Sequence, residues 1–263
     1  MAPGAELPPN LCYTLALDRP GQDFHRRMTR LLVTSLLLTQ WHGKIMVFRN
    51  HPRPVLPEGH PAVTEVLLDL LPSEDFHETV SWKYRVKDQL DLTGIAKVLF
   101  VDCDCLALRS INHLMLGSWD IYTAPEPGRL TEYPFNGYLT EEEMQSLRAL
   151  PGLNSGNWGV RASRYKEVMA AWEAIDRSKR LRGTTNQNQH SWNRLILDTP
   201  LRHRHFARGE LQFPFLHGAH YLSYRRAALV HACDRSAKEK LSLLFGLWMD
   251  VFGRDRLEDV TKI

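Results

Sequence analysis

Apolar and polar positions switch between two periods along the chain, and the switches mark out strands and helices. "LCYTLALD" (Leu11–Asp18) is a short apolar run of strand length. "QDFHRRMTRLLVTSLLLTQW" then spaces its apolar residues as one face of a helix, and "GKIMVFRN" reads as a second strand. The proline-rich "HPRPVLPEGHP" is loop. "DFHETVSWKYRVKDQL" predicts a helix, and "KVLFVDCDCLAL" (Lys97–Leu108) opens with a fully apolar strand.

The second half is more mixed. "WDIYTAPEPG" reads as a strand broken by its prolines. The polar stretch "RLTEYPFNGYLTEEEMQSLRALPG" reads as irregular with one short helix at "TEEEMQSLRAL", and it is a candidate border for an acceptor. "LNSGNWGVRAS" is a strand, "YKEVMAAWEAI" and "NQNQHSWNRLIL" are helices, and "GELQFPF" and "ALVHAC" are late strands before a last helix. The alternation predicts an α/β fold with a mostly parallel, twisted central sheet flanked by helices in one domain. Residues 1–10 form an irregular leading segment, 11–240 the domain, and 241–263 a helix packing on it.

Composition narrows the class. The chain has 263 residues, 43% of them hydrophobic and 24% charged, which is ordinary for a globular protein with a sizeable core. A net charge of +3 argues against nucleic-acid binding and leaves room for a local phosphate site. Cys12, Cys103, Cys105 and Cys233 form no C-x-x-C pair and no disulfide framework, and a reducing cytoplasm is the expected compartment. The chain start lacks signal-peptide features, and no apolar stretch is long enough to span a bilayer. "LSLLFGLWMDVFG" is apolar enough for membrane-surface contact, although packing on the core is the simpler expectation.

The chemistry starts at Asp102 and Asp104. If the strand continues through them, alternation puts both carboxylates on one face, and Cys103 and Cys105 on the other as packing residues. Ligands of open α/β sheets bind at the carboxyl ends of strands. Two neighbouring carboxylates repel one another unless a divalent cation joins them, and oxygen ligands suit Mg²⁺ or Mn²⁺ carrying a diphosphate. A thiolate zinc site of Cys103, Cys105, Cys233 and His231 would need side chains from both strand faces.

Three motifs follow in order: D-x-D at Asp102–Asp104, N-S-G at Asn154–Gly156, and a strand ending in His231 in "ALVHACDRSAKEK". From Leu11 to about Lys240 the chain resembles the family 8, glycogenin-like and galactosyltransferase-like, glycosyltransferases of the GT-A fold. The resemblance implies a Rossmann-like GT-A domain and transfer of a sugar from a nucleotide-sugar, UDP-linked, to a hydroxyl of an unknown glycan, protein or small molecule, with retention. It implies Asp102, Asp104 and His231 as ligands of Mn²⁺ (or Mg²⁺), with Cys103 between them in the donor site. Asn154, Ser155 and Gly156 would meet the donor sugar. Leu15, Ala16 and Asp18 would meet the nucleoside, and Lys83 the donor, with Lys87 as the competing choice. Lys238 would approach the diphosphate.

Two departures stand out. Where the family has an Asp-Gln pair near the sugar, this chain has Asn188-Gln189, with Asn186-Gln187 as second choice, so the catalytic carboxylate has become an amide. The late motif H-x-x-G-x-x-K-P-W is reduced to "HACDRSAK". The amide motivates a second reading, a non-catalytic nucleotide-sugar-binding protein. A haloacid-dehalogenase-type phosphatase shares the strand-then-D-x-D signature. The late position of the motif and Cys105 count against it.

Overall fold

The computed structural model describes residues 9–70, 75–181, 184, 186–207, 209–214, 224 and 226–256. Most of the expected leading segment, residues 1–8, and the tail 257–263 lie outside the described residues, as does Phe215 of "GELQFPF".

The elements run β1 (Asn10–Ala16), α1 (Phe24–Leu38), β2 (Gly43–Arg49), β3 (Val63–Leu67), α2 (Phe76–Arg85) and β4 (Lys97–Val101). They continue β5 (Cys105–Ala107), β6 (Ile121–Arg129), α3 (Glu141–Ser146), β7 (Pro151–Arg161), α4 (Ala162–Ser178) and α5 (Gln187–Asp198). The last are β8 (His203–His205), β9 (Leu211–Gln212), β10 (Leu229–His231) and α6 (Ala237–Phe252).

A seven-stranded sheet has the order β3-β2-β1-β4-β7-β6-β8, and only β7 runs against its neighbours. The expected mostly parallel α/β sheet is therefore present. Period-two alternation buries both of its faces. Cys12 of β1 with Leu99 and Val101 of β4 packs beneath Leu32, Val33 and Leu36 of α1. Tyr13, Val98 and Phe100 face the other way, onto Trp158, Trp172 and Trp192. Phe100 stacks on Trp158 at 5.2 Å between ring centroids, and Trp158 meets Trp192 at 5.3 Å. Truncating one of these rings removes roughly 3–5 kcal/mol of stability.

Several expectations change. β6 is continuous through Pro125 and Pro127; its register against β7 shifts there instead of breaking. The edge strands β3 and β8 are short, and β8 is exposed, so neither carries a strong apolar signal. The last helix begins at Ala237, set by a capping box of Ser236 and Glu239, so a boundary between 240 and 241 falls inside it. Its buried Leu241, Leu244, Leu247 and Trp248 join Met28 and Leu31 of α1 in one cluster, which spends this face on the core. No helix among the described residues is long and apolar enough to cross a membrane.

Candidate functional site

β4 ends at Val101, so the strand does not run through the two aspartates. Asp102 N–H donates to Gly156 O at 2.8 Å, and Cys105 N–H closes a turn on Asp102 O at 3.1 Å. The chain then enters a second, three-stranded sheet of order β5-β10-β9, where Cys105 pairs directly with His231. The D-x-D stretch is thus the corner between two sheets. That corner brings a histidine from the late part of the chain onto the carboxylates.

His231 Nε2 lies 3.0 Å from Asp104 Oδ1 and 3.8 Å from Asp102 Oδ2. Its Nδ1 lies 3.0 Å from the Asn157 side-chain amide, which fixes the ring. Lys83 Nζ donates to Asp102 Oδ2 at 2.9 Å and to Ser155 O at 3.3 Å. Lys87 instead pairs with Glu173 at 2.6 Å, away from the corner. Lys240 Nζ reaches Asp104 Oδ2 at 2.6 Å, whereas Lys238 is exposed. Positions two apart on a helix point to different sides, so the two lysines have different surroundings. Burial pushes the Asp104 carboxyl up, but Lys240 and His231 outweigh it and hold the group well below the usual carboxylate range.

The corner needs a glycine. A Cβ on Gly156 would sit 2.3 Å from Asp102 Oδ2 and 2.6 Å from His231 Cε1. The side chains of the corner themselves require this glycine, before any ligand approaches the backbone.

Cys105 departs from the expected arrangement, because the strand ends before it. Its sulfur lies with ligand atoms of Asp104 and His231 within 4.8 Å of one another. It does not simply pack behind the carboxylates. The thiol meets Asn157 Oδ1 at 3.4 Å, and burial pushes its pKa well above the ordinary value. An aspartate, a cysteine and a histidine thus stand within reach of one divalent cation, with Asp102 beside them. Cys103 is half-buried and packs against the α1–α6 cluster.

The N-S-G stretch lies on β7 beside the corner. Asn188 Nδ2 donates to Ser155 Oγ at 3.0 Å, and Gln189 Oε1 lies 3.4 Å from Ser155 N and Oγ. Asn188 is buried, while Gln189 is half-buried. Asn186 is the N-cap residue of α5, and Gln187 points into the helix packing, donating to Asp176 O at 2.6 Å. Of the two candidate pairs, Asn188-Gln189 adjoins the N-S-G strand.

Sequence reasoning missed Glu126. Its Oε2 accepts from Asn154 Nδ2 at 2.7 Å and from Gln189 Nε2 at 3.0 Å. Burial raises its pKa, against the hydrogen bond from Asn154. Its only sequence signal was an acid between two prolines in "TAPEPG".

At the end of β1, Leu15 and Ala16 are buried. Asp18 is also buried and caps α1, accepting from His25 N at 2.7 Å and Arg26 N at 3.2 Å. Its carboxylate already has a structural task, which competes with nucleoside binding.

No family model matches the chain, and no curated protein matches it. Among solved structures, the chain is similar to a glycosyltransferase involved in the glycosylation of the major capsid of PBCV-1. The TM-score is 0.58 at 14% identity, over 90% of this chain and 100% of that one. The likeness is one of fold.

Proposed function

We propose that the chain is a glycosyltransferase of GT-A type. It moves a sugar from a nucleoside diphosphate donor, UDP-linked, to a hydroxyl acceptor. The observation that carries this reading is the meeting of Asp102, Asp104 and His231 at one corner, beside Asn154–Gly156 and Gln189. The likeness of fold to a glycosyltransferase supports it.

Asp102, Asp104 and His231 would hold Mn²⁺ or Mg²⁺. When bound, such a cation neutralises charge on a departing diphosphate. The protein's own residues do the rest. Lys83 stands beside Asp102 as a donor for phosphate oxygens. Asn154 and Gln189 carry amides that bond sugar hydroxyls. Glu126, bonded to both, supplies the carboxylate that Asn188 lacks, next to positive charge developing at the sugar. Retention by front-face attack is the course that the family resemblance favours, and the four free thiols fit a reducing, cytoplasmic setting.

The test is thermal-shift and calorimetric titration of UDP-sugars with and without Mn²⁺. At least one UDP-sugar should stabilise the protein only with metal, and Asp104→Asn should abolish that shift. A full panel without any metal-dependent shift sinks the proposal. The second reading, binding without transfer, draws on Asn188, which is buried against Ser155. Tight metal-dependent binding with neither transfer nor donor hydrolysis would select it.

A further inference from the structure

Each aspartate of the corner carries its own ammonium. Lys83, from α2, sits 2.9 Å from Asp102 Oδ2, and Lys240, from α6, sits 2.6 Å from Asp104 Oδ2. Both pairs are shielded: the side chains are 7% and 23% exposed in the first, 21% and 9% in the second. Lys83 also lies over the Phe100 ring at 5.3 Å. Two positive charges thus match two negative ones before any ligand arrives.

We propose that Lys83 and Lys240 are built-in counter-ions of the cation site, and that they couple cation binding to diphosphate binding. This rests on the reading of the corner as a metal–diphosphate site. A divalent cation alone must displace Lys83 from the Asp102 oxygen that faces His231, and it meets the charge of Lys240 on the second oxygen of Asp104. Lys83 would keep only the Ser155 carbonyl, and Lys240 has no acceptor other than Asp104 among the described residues. Buried charges left without partners oppose that exchange. A diphosphate alone is no better placed, because the ammoniums it needs are held by carboxylates. Together the two ligands satisfy every group: carboxylates and His231 take the cation, and the ammoniums take phosphate oxygens. Coupling of this kind is reciprocal, and each ligand raises the affinity of the other by one common factor.

The probes are Mn²⁺, followed by the electron-paramagnetic-resonance signal of the free ion, and UDP, followed by calorimetry. In the wild type, UDP should tighten Mn²⁺ binding by about tenfold or more, within the usual range of such couplings. Mn²⁺ should tighten UDP binding by the same factor. Lys240→Met should tighten Mn²⁺ binding in the absence of UDP by roughly tenfold and shrink the coupling factor. Lys240→Arg should keep the wild-type pattern, and Lys240→Gln replaces the methionine variant if that one does not fold. Unchanged or weaker Mn²⁺ binding by the neutral variants, without UDP, overturns the counter-ion proposal and leaves the function standing. A wild type that binds neither Mn²⁺ nor UDP overturns both.

Discussion

Glu126 Oε2 accepts a hydrogen bond from Asn154 Nδ2 at 2.7 Å. The same oxygen accepts from Gln189 Nε2, so one carboxylate ties β6, β7 and α5 together beside the corner. It sets a negative group against the amides of Asn154 and Gln189.

Glu126→Gln should therefore lower kcat/KM for transfer or donor hydrolysis by about 10²–10³-fold, the scale for losing one charge-stabilising group. Donor affinity should change only a few-fold. Burial raises the Glu126 pKa, so the ionised, working form is lost as pH falls through a value above the ordinary ~4.3 of a glutamate. Steady-state kinetics across pH check both, and a variant as active as wild type refutes the role.

Gly156→Ala places a methyl group against Asp102 and His231. The expected outcome is Mn²⁺ binding weakened by about 10–100-fold, as for other displaced ligand shells. Stability should fall by about 1–3 kcal/mol from overpacking. Calorimetry and urea unfolding separate the two effects.

Asp176 is buried and holds α5 from behind. It accepts from Ser191 Oγ at 2.6 Å and Tyr84 Oη at 2.8 Å, and lies 2.9 Å from His77 Nε2. Asp176→Ala strands these donors, and each lost partner costs about 1–3 kcal/mol. The variant should unfold at clearly lower urea, and where it remains folded kcat should drop more than donor affinity, because α5 carries Gln189.

His190 is buried, accepts from Gly137 N at 2.8 Å, and has a pKa pushed down by burial to about 4. Unfolded, the ring titrates near ~6.5. The unfolded chain thus binds the extra proton first, and stability falls as pH drops from that value towards the folded one. The loss approaches ~3 kcal/mol. His190→Asn keeps an acceptor for Gly137 and should flatten this part of the pH–stability curve in urea titrations at pH 7 and 4.5.

The periodic elements were legible in the chain because their causes are local. Alternation in "KVLFV" and "LCYTLA" makes two-faced buried strands wherever a sheet forms, and the apolar spacing of α1, α4 and α5 makes helices with one packed face. Asp102 and Asp104 could be read as a pair because they are two residues apart. β3 and β8 could not be read, because short edge strands carry little apolar pattern.

The corner itself was decided by tertiary structure. Whether the strand continued through Asp104 depended on the pairing of β5 with β10, a contact between distant segments that no local pattern encodes. That pairing turned Cys105 towards Asn157 and set His231 beside Asp104. The choice of Lys240 over Lys238 depended on which side of α6 docks on α1, and the bond it makes joins residues 136 positions apart. Glu126 acquired its place only when β6, β7 and α5 came together. Chain-local sterics set the elements. Burial, which can be completed only between distant segments, set which polar groups had to meet.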